Sequence, residues 1–68
     1  MFRPGDRWRH KNCLDIDLII VAVTYAGPSL TRAKVLYWQR HMGALMTTTT
    51  ETVTIKRKDF GNWQRIED

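Results

Sequence analysis

The side chains best suited to metal binding or nucleophilic chemistry lie in one short stretch of the chain. His10 and Cys13 are spaced as His-x-x-Cys, Asp15 and Asp17 follow closely, and His41 lies farther along. A structural zinc site typically takes four ligands in closely spaced pairs, but the chain has one cysteine and no second pair. The stretch therefore does not predict a metal site. We expect Cys13 to be a small, half-buried apolar residue.

The same residues do not form a catalytic constellation. A cysteine nucleophile needs a base and a third group that orients the base, whereas His10 and Cys13 share one short loop without a third partner. Asp15 and Asp17 would lie about 7 Å apart on one strand face, where we expect both carboxylates to be solvated. With no cofactor-binding motif either, the sequence predicts a protein that is not an enzyme and uses no cofactor or metal.

Basic side chains interleaved with aromatic residues form the second candidate site. Cations can contact phosphates, and exposed aromatic rings can stack on bases or pack against a partner. The predicted surface for nucleic acid or a protein partner consists of Arg7, Arg9, Lys11, Arg32, Lys34, Trp38, Arg40, Lys56, Arg57 and Lys58. The alternative is that the cations are only solvated and that the aromatic residues fill the core. Tyr37 and Trp38 are neighbours, so one of them is expected to face outward.

Two long segments must position these residues, and both have the pattern of β-strands. In the segment 15–25, Ile16, Leu18 and Ile20 alternate with polar residues, and the following residues are apolar on both faces. A helix is the alternative for this segment, but its many β-branched residues favour a strand. The segment 31–40 alternates again, which predicts a second half-buried strand.

The rest of the chain predicts short strands and turns. A turn at 4–6 precedes a strand at 7–11, and the threonine-rich stretch 47–52 is expected to be an edge strand or a loop. A short helical turn at 58–62 ends at a glycine and is followed by a last strand at 63–66. We therefore predict a mainly β fold: a small antiparallel barrel of five or six strands with one short 3₁₀ turn near 58–61.

Length, charge and cysteine content limit the class of protein. Sixty-eight residues make one domain, 1–68, and the single cysteine excludes a disulfide within the chain. The net charge of +4 permits an anionic partner. No apolar run approaches the roughly 20 residues of a membrane-spanning helix, and no signal-peptide pattern is present. We therefore expect a cytoplasmic protein that does not bind a membrane.

The motifs "PGDRW" before the first strand, "KDFGN" as a helical turn and "WQRI" as the last strand give the chain an order that resembles the SH3-like small barrels. The resemblance implies that the last strand pairs with the first, so that Trp8 and Trp63 help to close the barrel. Peptide-binding SH3 domains use an acidic loop for proline-rich ligands; here "RHKNCLDID" is partly basic, so that ligand is not implied. The chain is also similar to small uncharacterised bacteriophage proteins.

The sequence predicts a small non-enzymatic binding module. The preferred hypothesis is a protein-interaction or accessory protein, phage-encoded and host-modulating if the second resemblance holds. It would act through an edge strand or an aromatic surface on another protein or on a second copy of itself. The alternative hypothesis is a small nucleic-acid-binding barrel that uses the basic and aromatic residues named above.

Overall fold

The computed structural model describes residues 1–13 and 15–67, which form a single antiparallel sheet and one short 3₁₀ helix. The elements in chain order are β1 (Arg7–His10), β2 (Ile16–Ala26), β3 (Leu30–Gln39), β4 (Ala44–Leu45), β5 (Glu51–Lys56), the 3₁₀ helix (Arg57–Asn62) and β6 (Trp63–Ile66). The strand order is β4-β3-β2-β1-β6, and β5 pairs with another part of β3. The predicted fold class is confirmed: the protein is mainly β, with six antiparallel strands in a small barrel-like arrangement.

The first and last strands are neighbours in the sheet. In the β1–β6 pair, Trp8 lies opposite Arg65 and His10 lies opposite Trp63. The imidazole of His10 meets the ring of Trp63 edge-on, with their centroids 4.9 Å apart. The expectation that the two ends of the chain pair with each other is therefore confirmed. The two tryptophans are not paired with each other, because Trp8 lies opposite Arg65 and Trp63 lies opposite His10.

One face of the sheet forms the core, as the alternation predicted. Leu18 and Ile20 on β2, Ala33 and Val35 on β3 and Ile55 on β5 are all buried. Tyr37 packs on this same side, and its neighbour Trp38 lies on the opposite face, which we call the outer face. Burial of these branched side chains on one pleated surface is the main stabilising contribution that the fold can offer.

The N-terminal segment completes the core, a feature that the sequence analysis did not predict. Phe2 is buried against the rings of Trp8 and Phe60, at centroid distances of 4.4 and 5.3 Å. Two backbone hydrogen bonds tie the segment to β2: the Gly5 amide donates to the Ile20 carbonyl (2.8 Å), and the Ile20 amide donates to the Asp6 carbonyl (2.9 Å). Gly5 has a φ of +90°, which glycine adopts without strain. The predicted turn at 4–6 is thus also an anchor.

Strand β2 contains two irregularities in its pairing with β3. The register shifts between Ile20 and Ala22 and again between Val23 and Tyr25, so one extra residue is inserted at each place. Such bulges bend a strand and increase its twist. The first bulge interrupts the strict alternation at Val21, which is 43% exposed.

The threonine-rich stretch is partly a loop and partly a β-strand. Thr47–Thr50 lies in the loop after β4, and the chain re-enters the sheet at Glu51. The predicted choice between strand and loop therefore resolves into a loop followed by a strand. Throughout the part of the chain that the structure describes, no helix has the length and apolar character needed to cross a membrane.

Candidate functional site

The outer face of the sheet brings together residues that are distant in the sequence. Strand pairing places Gln64, Arg9, Asp17, Trp38 and Leu45 in one row across β6, β1, β2, β3 and β4. Residues paired directly in an antiparallel sheet point to the same side. The row therefore presents a carboxylate with an arginine on one side and a tryptophan on the other.

Asp17 is the centre of this row, and its side chain is fully buried by three arginines. Arg9 donates from Nε to Oδ1 (2.9 Å) and from Nη2 to Oδ2 (3.1 Å), and Arg7 donates from Nε to Oδ2 (3.0 Å). The Nε of Arg40 lies 3.0 Å from Oδ1 as an ion pair without hydrogen-bond alignment. The expectation that Asp17 is solvated was wrong. Asp15, two residues earlier, is exposed as expected.

Local pairing explains why the third arginine reaches the same carboxylate. Arg40 follows the last residue of β3, and its amide donates to the carbonyl of Asp15 (2.7 Å), so the β2–β3 pairing continues past the end of the strand. Arg40 is two residues from Trp38 and therefore lies on the same face. Its Nη2 donates to the carbonyl of Cys13, which fixes the guanidinium beside Asp17.

Electrostatics keep Asp17 ionised in this buried position. Desolvation alone would raise its pKa, but the hydrogen bonds from Arg9 and Arg7 and the charges of Arg9 and Arg40 outweigh that effect, and the pKa is lowered. The pKa of Arg9 is raised in turn, chiefly by its hydrogen bond to Asp17. The cluster is thus one carboxylate anion surrounded by three cations.

Trp38 forms a wall beside the cluster. The guanidinium carbon of Arg7 lies 5.2 Å from the centre of the Trp38 ring, within range of a cation–π interaction. On the other side of Trp38, Leu45 is 43% exposed. We call the surface formed by Arg7, Arg9, Arg40, Trp38 and Leu45 the Arg–Trp patch.

A second group of predicted site residues lies at the other end of the outer face. Thr54 on β5 lies opposite Arg32 on β3, and Thr52 lies opposite Lys34. We call the five cations on these strands and in the first turn of the 3₁₀ helix that follows β5 the basic end, and all five are exposed: Arg32, Lys34, Lys56, Arg57 and Lys58. Arg32 and Trp38 are six positions apart on β3, which is about 20 Å along an extended strand.

The ten residues predicted as a surface therefore do not form one continuous site. Four of them join the Arg–Trp patch and five form the basic end. Lys11 belongs to neither, because it follows β1 in a turn and its amide donates to the carbonyl of Asn62 (2.9 Å). Leu45 is part of the first patch but was not predicted. Its only sequence signal is the short apolar group that follows Gly43, and this group does not reveal its strand partner.

Cys13 contacts the Arg–Trp patch only through its backbone carbonyl, and the side chains of His10 and Cys13 are not members of either patch. Cys13 is half-buried, as predicted. The Nδ1 of His10 accepts a hydrogen bond from the Asn12 amide (3.1 Å). Among residues 1–13 and 15–67, no group of three His, Cys, Asp or Glu side chains is placed to hold a metal ion, and no pocket is found.

In comparisons with known proteins, no family model, no curated protein and no solved structure matches the chain. A 3₁₀ helix precedes the last strand, and the last strand pairs with the first. Membership of that family and similarity to bacteriophage proteins remain predictions.

Proposed function

We propose that the chain is a non-enzymatic protein-interaction module that binds an acidic region of another protein through the Arg–Trp patch. The observation that supports this proposal is the gathering of three arginines and one tryptophan around a single buried carboxylate on an open face of the sheet. A lone, unpaired cysteine is consistent with action in the reducing cytoplasm.

The side-chain types in the patch favour a protein partner over a merely solvated surface. Arginine and tryptophan are the residues most enriched among those that dominate binding energy, whereas lysine is depleted in protein interfaces. All the cations of this patch are arginines. Next to them, Leu45 and Met46 on the β4 hairpin are exposed apolar residues that a partner could cover.

The patch is also held rigid before a partner arrives. Hydrogen bonds to Asp17 fix Arg7 and Arg9, and Arg40 is fixed by the carbonyl of Cys13. Long flexible side chains normally lose conformational entropy on binding, at about 0.5–1.5 kcal/mol each. Here part of that loss has already occurred during folding, which favours use of these arginines in recognition.

The test uses two acidic substitutions of exposed apolar residues on the same face. The immobilised protein is incubated with a nuclease-treated extract of the cells that produce it, and bound proteins are quantified by mass spectrometry. We expect Leu45→Asp to lower recovery of the partner roughly tenfold or more, as at an interface hot spot. Tyr25→Asp, at the basic end, should leave recovery unchanged, because Tyr25 is 50% exposed and lies outside the patch.

Equal recovery by the two variants would contradict the proposal, as would a wild-type protein that retains nothing above the bare matrix. Circular dichroism of both variants confirms that each is folded. Sedimentation velocity at several concentrations tests the self-association form of the proposal, in which a second copy is the partner. Association that is lost in Leu45→Asp and kept in Tyr25→Asp would identify that partner.

A second candidate function, nucleic-acid binding, is favoured by the basic end alone. Two of its five exposed cations, Arg32 and Lys34, lie opposite Thr54 and Thr52, and Tyr25 pairs with Arg32 on the same face. Cations contact phosphates, and an exposed aromatic ring can stack on a base. The basic end has only one such ring, so the arrangement supports weak, sequence-independent binding to single strands.

Salt dependence tests this second function. Binding of a random single-stranded oligonucleotide, followed by fluorescence anisotropy, should weaken linearly with salt concentration on a log–log plot, with a slope of about −0.7 for each phosphate contacted. Lys34→Glu should weaken binding, and Lys11→Glu, the same change outside the basic end, should do so much less. If high micromolar protein binds no oligonucleotide at low salt, this function is excluded.

A further inference from the structure

The Arg–Trp patch has more positive charge than its own carboxylate can neutralise. Three guanidinium groups contribute +3 and Asp17 contributes −1, which leaves an excess of +2 within one group of contacting side chains. Like charges at such short distances repel each other, more strongly than in water because the groups are partly buried. One or two arginines would have been enough to balance Asp17. The third adds repulsion unless another anion is bound.

The arginines also keep hydrogen-bond donors that Asp17 does not use. Each guanidinium has five N–H donors. Arg7 uses only its Nε on the carboxylate, and Arg9 uses Nε and Nη2. Among the described residues, both Nη groups of Arg7, Nη1 of Arg9 and Nη1 of Arg40 have no acceptor. The three side chains remain a fifth to a third exposed, so a ligand can reach them from solvent.

We infer that Arg7, Arg9 and Arg40 form a binding site for the phosphate monoester dianion of a phosphorylated side chain, with Trp38 as one wall and Asp17 as the buried group that orients the arginines. This inference rests on the proposed function, because it assigns the anionic group by which a protein partner is recognised.

Charge distinguishes this ligand from the other common anions. A phosphate monoester has a charge of about −1.5 to −2 at pH 7, which matches the excess of +2. A carboxylate or the phosphodiester of a nucleic-acid backbone has a charge of −1 and would leave half of the excess unbalanced. Arginine forks also match the oxygens of a phosphate in a bidentate manner, and clusters of arginines are a recurring means of recognising phosphorylated motifs.

The first test is a titration of the intact protein with two blocked amino acids, N-acetyl-phosphoserine amide and N-acetyl-aspartate amide, followed by NMR. At pH 7 the phosphoserine compound should give saturable shifts of the Nε–H signals of Arg7, Arg9 and Arg40 and of the Trp38 indole signal. The aspartate compound should bind roughly tenfold or more weakly, a ratio that corresponds to one charge-assisted hydrogen bond. Equal affinity, or shifts spread evenly over every arginine of the protein, would overturn the inference.

The pH dependence of phosphoserine binding distinguishes a specific site for the dianion from attraction by the overall positive charge of the protein. Between pH 7 and pH 5 the phosphate group gains a proton, because its second pKa is about 6. Asp17 keeps its charge over this range, because its pKa is held below the ordinary carboxyl value. Phosphoserine binding should therefore weaken several-fold at pH 5 while aspartate binding changes little. An unchanged phosphoserine affinity would contradict recognition of the dianion.

A pair of matched substitutions tests the site without removing the core of the cluster. Arg40→Gln leaves Asp17 with Arg7 and Arg9 and should weaken phosphoserine binding roughly tenfold or more, the loss of one charge-assisted interaction. Arg32→Gln removes the same charge from the basic end. It should change the phosphoserine affinity by less than about twofold, because Arg32 does not contact the proposed phosphate site. A similar loss in both variants would mean that net charge, not the site, attracts the anion.

The outcomes separate this inference from the proposed function. Saturable phosphoserine binding by a protein that captures no partner would leave the site standing and remove the interaction proposal. If the protein captures a partner in a Leu45-dependent manner but does not bind phosphoserine, the interaction proposal stands and the phosphate site is excluded. A 5′-phosphorylated oligonucleotide that binds the three arginines more tightly than a phosphoserine peptide would overturn the assignment to a protein side chain.

Discussion

Asp17→Asn should lower the free energy of unfolding by about 3 kcal/mol, the low end of the range for removing one member of a buried ion pair. The substitution leaves three neighbouring guanidinium groups without a counter-charge and replaces a four-site acceptor by an amide. The low end applies because the arginines are partly exposed and can be hydrated. For a domain of 68 residues, total stability is roughly 3–10 kcal/mol, so the loss is severe. Urea unfolding followed by tryptophan fluorescence measures it.

Asp15→Asn is the matched control for this prediction. It makes the same chemical change two residues earlier, on an exposed side chain, and should shift stability by no more than about 0.5 kcal/mol. Similar urea midpoints for the two variants would show that Asp17 is not the centre of the cluster.

Acid provides a second comparison. Because folding lowers the pKa of Asp17, its stabilising effect is complete above the unfolded carboxyl pKa of about 3.9 and is lost as pH falls through the folded value. The wild type should lose this contribution below about pH 4, and Asp17→Asn should lack it.

Phe2→Ala should have the other large effect, a loss of roughly 3–5 kcal/mol. Phe2 is 6% exposed and contacts both Trp8 and Phe60, so its removal leaves a cavity between β1 and the 3₁₀ helix. A loss of this size approaches the whole stability expected for so small a domain. The variant should therefore be largely unfolded, or should melt far below the wild type in a thermal scan followed by circular dichroism.

Met1→Ala tests whether the effect belongs to the buried ring or to the N-terminal segment in general. Met1 is adjacent in the chain but 69% exposed, so its substitution should change the melting temperature by only a few degrees at most. If Phe2→Ala and Met1→Ala have similar melting temperatures, the Phe2 ring does not contribute to the core in the way described above.

Much of the fold could be predicted because it follows from local patterns. The alternation of Ala33, Val35 and Tyr37 places these residues on the core side without any knowledge of the partner strands. The glycine-terminated turn before Trp63 is equally local. Phe2 could not be predicted in this way, because one apolar residue before a turn has no periodicity, and only the folded core shows that a ring is needed there.

The candidate site was less predictable because it depends on strand register. Asp17 has the same local pattern as Asp15, and nothing in the sequence reveals that Arg9 will lie opposite one of them and not the other. A shift of a single residue in the β1–β2 pairing would point Arg9 at a core residue. Register is determined by the whole sheet, so the sequence could predict which residues are basic but not which of them share a carboxylate.

The two bulges in β2 have a consequence for how many molecules this protein can hold at once. They lie on β2 between the row of Asp17 and the row of Tyr25, and bulges of this kind bend a strand and increase its twist. We expect this bend to separate the Arg–Trp patch from the basic end, so that one small sheet can hold two different ligands. Deleting either inserted residue should realign the outer-face side chains beyond it.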